Sequence, residues 1–149
     1  MAMFSAFIGI IKLMWSDKLY SVVTLYECMQ DPATVAWLMQ MDIPLPGTIP
    51  PGRYPAPNKV KRILNALSGV RIDYLIGKTT WQVTVRSRKD VSWATLAVRD
   101  YSGDPTASHK FIFTGGWDEM ILQVTAALVK FCGPLVLLHE SGAPPQIVM

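Results

Sequence analysis

Between Val70 and Phe113, apolar residues fall at every second position in four separate stretches. Val70, Ile72, Tyr74 and Ile76 alternate with Arg71 and Asp73, and Trp81, Val83 and Val85 with Gln82, Thr84 and Arg86. Ala94, Leu96 and Val98 alternate with Thr95, Ala97 and Arg99, and Phe111 and Phe113 flank Ile112. A period of two predicts strands with one buried face. The links Gly77-Lys78, Ser87–Asp90 and Ser102–Pro105 are short, which predicts an antiparallel meander.

On either side the pattern changes. Leu19–Met29 is rich in β-favouring residues and reads as a further strand. Asp31-Pro32 then starts a helix, with an N-cap acceptor before a proline at the first helical position, and Val35, Leu38 and Met39 form its apolar face. Six of the eleven prolines lie in residues 43–57, which excludes helix or central strand there and predicts a stiff crossover covering one edge. From Asn58, read as a cap, Val60, Ile63, Leu64 and Leu67 keep the i, i+3, i+4, i+7 spacing of a helix that Ser68-Gly69 ends. After Thr114-Gly115-Gly116, taken as the break of the fourth meander strand, Trp117–Phe131 predicts a helix with Trp117, Ile121, Val124, Leu128 and Phe131 in one stripe. Leu135–Leu138 is apolar throughout and reads as a buried strand, and the chain from Ser141 reads as a Gly/Pro tail. The expected fold class is α+β: an antiparallel sheet of four to six strands with helices packed mainly on one face, in a single domain over residues 1–149.

Residues 1–18 stand apart. Twelve of the first fifteen are apolar, with Ser5, Gly9 and Lys12 the exceptions. As a helix these fifteen would span about 22 Å, short of a hydrocarbon core of about 30 Å. No basic residue precedes Phe4, and Trp15-Ser16-Asp17 is a poor cleavage site, so neither a membrane span nor a secretory signal is expected. Packing against the domain itself and packing across a two-fold dimer both fit. The expected dimer surface is Phe4, Phe7, Ile8, Ile11 and Trp15, because so large an apolar patch is rare on a soluble monomer.

Composition narrows the function classes. Half the residues are apolar and 17% charged, as in a globular protein. The net charge of +3 is a weak basic bias, and Lys59, Lys61 and Arg62, flanked by Arg53 and Arg71, are its densest cluster. This is the pattern of a solvated helix face, with an acidic partner as the other reading; nucleic acid is not the expected partner. Cys28 and Cys132 lie in apolar runs and His109 and His139 are not at ligand spacing with them, so no metal and no cofactor is expected, and free thiols suit the cytoplasm.

The sequence carries few catalytic patterns. Gly77-Lys78-Thr79 lacks the upstream glycine and the following helix of a phosphate loop, and Asp118 and Glu119 would repel an anion from Gly115-Gly116. There is no Gly-x-Ser-x-Gly elbow, and His139, Glu140 and Ser141 cannot all converge from one strand. The chain is therefore not expected to be an enzyme. The candidate binding residues are Trp93, Arg99 and Tyr101, which alternation places on one face of the third meander strand, together with His139. An aromatic face bearing arginine has the composition of a binding hot spot; the same residues would be structural if covered by the N-terminal segment or set at the sheet edge.

Phe113-x-x-Gly116-Trp117-Asp118-Glu119, Cys132-Gly133-Pro134-Leu135-Val136-Leu137 and Ser141-Gly142-x-Pro144 together resemble a pattern of small uncharacterised bacterial proteins, some of which accompany toxin-immunity loci or travel on mobile gene cassettes. The resemblance covers about a quarter of the chain and implies a bacterial protein-binding role with no catalytic residues. Taken together, these readings predict a non-enzymatic protein-binding module, an immunity or accessory factor acting as a homodimer. The alternative is a small-molecule-binding domain or an enzyme of unfamiliar type.

Overall fold

A computed structural model describes residues 19–98 and 101–149. The expected dimer residues Phe4, Phe7, Ile8, Ile11 and Trp15 lie outside the described residues, as does Arg99. The elements run β1 (Tyr20–Thr24), α1 (Leu25–Cys28), α2 (Pro32–Gln40), α3 (Pro57–Asn65), β2 (Val70–Ile76), β3 (Trp81–Ser87), β4 (Trp93–Val98), β5 (Phe111–Gly116), α4 (Asp118–Cys132), β6 (Leu135–His139) and β7 (Gln146–Val148).

The α+β class holds. All seven strands join one sheet in the order β2-β3-β4-β5-β1-β6-β7, and every neighbouring pair is antiparallel. β2 to β5 form the expected meander. β1 then slots between β5 and β6, so β5, α4 and β6 make a split crossover whose two strands run parallel on either side of β1. The seventh strand, β7, comes from the stretch read as a tail.

Alternation decides what each strand buries. Val22, Val83, Val85, Leu96, Phe111, Phe113 and Leu135 face α4, which contributes Met120, Ile121, Val124, Leu128 and Cys132. The opposite face is covered at the β1–β6–β7 end, where Leu25 and Cys28 of α1 bury Val136, and Leu45 and Ile49 of the proline-rich segment pack beside them. Residues 43–56 have no regular structure, and Pro57 belongs to α3 as its first-turn proline.

Local chemistry shifts several expected boundaries. β1 stops at Thr24, where the reading of a strand to Met29 is corrected: Thr24 Oγ1 accepts from the Glu27 amide at 3.2 Å and caps a one-turn helix. Asp31 caps α2 as expected, but of the expected apolar face only Leu38 is fully buried, and Met39 is 65% exposed. Ala56 rather than Asn58 is the N-cap of α3. Gly115 and Gly116 do not break β5; they pair with Thr95 and Ala94 after a bulge that leaves Thr114 as the extra residue.

The proline-rich segment is tied down by Tyr54. Its hydroxyl accepts from the Thr24 amide at 3.1 Å and donates to Glu27 Oε2 at 2.8 Å, while Lys110 Nζ lies 3.0 Å from Glu27 Oε1. Burial raises the Tyr54 hydroxyl to about 12. Burial alone would raise Glu27 as well, but Lys110 and Tyr54 outweigh it and hold the carboxyl below its ordinary value.

Candidate functional site

The basic cluster read from the sequence belongs to a groove between α3 and α4. α3 buries Val60 and Leu64 completely, which turns Ile63 and Leu67 towards the neighbouring helix as partly buried side chains. Together with Ala66, Ala127 and Phe131 they form the apolar floor of a groove of about 340 Å³, with Lys59 and Lys130 at its rim. At one end Arg53 closes over the Phe131 ring: its guanidinium carbon lies 4.0 Å from the ring centroid, and Lys59 Nζ lies 5.1 Å from the same centroid. Arg53 Nε also donates to the Phe131 carbonyl at 3.1 Å, satisfying one of the open carbonyls in the last turn of α4 and placing a cation at the negative end of its dipole.

Among the described residues these cations have no carboxylate partner. The ion pairs among the described residues join Arg71 and Arg86 to Asp73, and Lys110 to Glu27. Arg53, Lys59 and Lys130 have no acidic side chain within 4.0 Å among the described residues, so the groove combines an apolar floor with uncompensated positive charge.

At the other end of α4 the chemistry reverses. A second cavity of about 410 Å³ is lined by Asp90, Val91, Ser92, Trp117, Asp118 and Glu119. Val91, at the tip of the β3–β4 turn, is 76% exposed, and Trp117 is 43% exposed. The turn is rigidly pinned: Asp90 Oδ1 accepts from the Ser92 amide at 2.8 Å and from its hydroxyl, and Ser87 Oγ accepts from the amides of Lys89 and Asp90. The Ser92 hydroxyl and amide hold the Asp90 carboxyl below its ordinary value, so it stays charged at neutral pH.

Of the residues singled out from the sequence, the described ones, Trp93, Tyr101 and His139, lie in three separate places. Trp93 is half-buried on the sheet face turned away from α4, beside Thr95, whose hydroxyl lies 2.9 Å from that of Thr84. Tyr101 does not share that face. β4 ends at Val98, and Tyr101 is 3% exposed within the α4-side core, edge-on to the His109 ring at 5.7 Å. His139 ends β6 on the α4 side, three strand positions from β4, about 14 Å away by strand spacing alone. Its Nδ1 lies 2.6 Å from Ser141 Oγ and accepts from the Ser141 amide at 3.1 Å, and Tyr20 packs edge-on against the ring. Glu140 lies past the end of β6, in the turn that follows it. Neither histidine lines the groove or the acidic cavity.

Both cysteines are free and buried. Burial, helped by the charges of Glu27 and Asp31, pushes the Cys28 thiol up to about 11; burial outweighs Arg53 and pushes Cys132 up to about 12. Since the thiolate is the nucleophile, both groups are expected to resist an aromatic disulfide reagent at pH 8 in the folded protein and to react fully after denaturation. Rapid labelling of either in the native state would contradict this burial. Among the described residues no three His, Cys, Asp or Glu side chains are grouped to hold a metal, and no helix is long and apolar enough to cross a membrane.

The fold and these surfaces define an antiparallel α+β domain with a cationic, apolar-floored helix groove. No protein-family model matches the sequence, and neither the curated proteins nor the solved structures contain a match to it.

Proposed function

We propose that this chain is a non-enzymatic protein-binding module, an immunity or accessory type of factor acting in the bacterial cytoplasm, and that it receives an acidic amphipathic segment of another protein in the α3–α4 groove. The observation that supports this most is the uncompensated charge of Lys59, Lys130 and Arg53 around the apolar floor of Ile63, Leu67, Ala127 and Phe131. Lys59 and Ile63 lie one turn apart on α3, and Ala66 and Leu67 continue the wall just past the end of that helix. An apolar floor of this kind suits a partner helix presenting anchors at i, i+3 or i+4, and i+7. Carboxylates flanking those anchors would meet the lysines and speed encounter.

Selection of peptides from a displayed random library tests this reading. The enriched sequences are expected to carry aliphatic or aromatic residues at helical spacing with Asp or Glu beside them. Their affinity should fall at least roughly tenfold in a Lys59→Glu/Lys130→Glu double variant, and fall again with added salt. Enrichment without acidic bias, or affinity untouched by the double variant, overturns the reading. Binding of a medium-chain carboxylate such as decanoate with no peptide selected would favour the alternative, a small-molecule site, for which a volume of about 340 Å³ lies at the lower end of the usual range.

A further inference from the structure

The two ends of α4 carry opposite surfaces. Its C-terminal end borders the basic groove, with an apolar floor and Lys59 and Lys130 at the rim. Its N-terminal end borders a corner where Val91 and Trp117 stand exposed among Asp90, Asp118 and Glu119. Asp118 has an interaction of its own, so the charge argument rests on Glu119 and Asp90. One surface is a concave apolar floor edged with cations; the other is a shallow acidic cavity at whose mouth the Val91 tip of the β3–β4 turn projects, held rigid by the Asp90–Ser92 and Ser87 hydrogen bonds. A pre-ordered tip loses little conformational entropy on docking.

The helix between them sets a geometry. Glu119, Gln123, Ala126 and Lys130 are all exposed and fall at i, i+4, i+7 and i+11, one stripe of α4. Two copies of α4 laid antiparallel about a two-fold axis near Gln123 and Ala126 bring each Glu119 to the other copy's Lys130. The same operation carries each Val91 corner towards the other copy's groove.

We propose that the basic groove of one copy receives the acidic Val91–Trp117 corner of a second copy of this chain, closing a two-fold dimer across antiparallel α4 helices. This rests on the reading of the groove as a protein-docking surface, and it gives that surface a self-associated state that an acidic partner displaces. The apolar tip fills the apolar floor, and each carboxylate edge meets a lysine edge twice per dimer, as a two-fold contact requires.

Charge reversal tests it by sedimentation velocity on the full chain. Lys130→Glu places two like-charge contacts in its homodimer, and Glu119→Lys does the same with the opposite sign. Each single variant is expected to dimerise roughly tenfold more weakly than the wild type. An equal mixture of the two restores both attractive contacts and is expected to regain wild-type affinity to within about threefold, as is the Glu119→Lys/Lys130→Glu double variant. A wild type that stays monomeric, single variants that dimerise as firmly as the wild type, or a mixture that gains nothing over its components each overturns the proposal. Circular dichroism of each variant shows that its fold is kept. Peptide binding to the Glu119→Lys chain, whose groove is intact, separates the two readings. Peptide bound without any wild-type dimer overturns the dimer alone, while a firm dimer with no peptide bound overturns the groove as a site for other proteins.

Discussion

Trp81→Ala is expected to lower the free energy of unfolding by about 4 kcal/mol, the largest loss from any single truncation in this core. Trp81 opens β3 and is 1% exposed, set between Ile76 of β2 and Val98 of β4 in the ladder. Its ring belongs to the cluster formed by Val83, Leu96, Phe113 and the buried side of α4. Removing it deletes the transfer energy of a large aromatic group and leaves a void between a sheet and helices that cannot both close in. A domain of this size is stable by about 5–15 kcal/mol, so the variant should lose between a quarter and most of its stability. Leu75→Ala is the matched control: Leu75 lies on the same hairpin but is 66% exposed, and its truncation should cost less than about 0.5 kcal/mol. Urea titrations with an unchanged slope and shifted midpoints would establish both. Equal midpoints for the two variants would refute the placement of Trp81.

Gly116→Ala is expected to cost nearly as much, for a different reason. Gly116 has φ +140°, and a Cβ built there lies 2.6 Å from both Ala94 Cα and the Trp93 carbonyl oxygen. Those atoms are backbone, fixed in the β4–β5 ladder, and the same Trp93 oxygen accepts from the Trp117 amide at 2.8 Å. Relieving the contact would pull β5 from β4 or break the hydrogen bond at the start of α4. Backbone strain and overpacking together amount to about 3–5 kcal/mol. Gly47→Ala, with no atom within 4 Å of the added methyl group, should leave the midpoint where it is or raise it slightly. A Gly116→Ala midpoint as high as that of Gly47→Ala would mean that the bulged pairing is wrong.

These two sites also mark where the sequence was readable. Trp81 announces itself by alternation with Gln82 and Thr84, and β2 to β5 follow from that rule because one sheet face is buried against α4. Gly115-Gly116 misleads because glycine is depleted in strands, whereas here the close approach of Ala94 requires it. Thr24 ends β1 by a side-chain cap that competes with the strand preference of the following Leu25 and Tyr26. β7 has three residues behind two prolines, and only pairing with β6 makes it a strand. Counting in twos places Tyr101 on the Trp93 face, a rule that lapses where β4 ends at Val98. Of the groove, the basic cluster at Lys59, Lys61 and Arg62 was visible. Helical spacing puts Phe131 in the core stripe, and its capture by Arg53, 78 residues away, is a tertiary contact that no local pattern encodes.

The insertion of β1 between β5 and β6 bears on how the chain can fold as it is made. Val22 emerges from the ribosome well before its sheet neighbours: Phe111 is synthesised 89 residues later, and Leu137 later still. At ordinary translation rates the first delay lasts roughly 5–20 s. During that interval β2, β3 and β4 can already pair, since their partners adjoin them in sequence, while the strand destined for the middle of the sheet has nothing to pair with. The nascent chain therefore fills the β5–β1–β6 part of its sheet late, just before the edge strand β7, and Val22 and Val23 stay without strand partners until then.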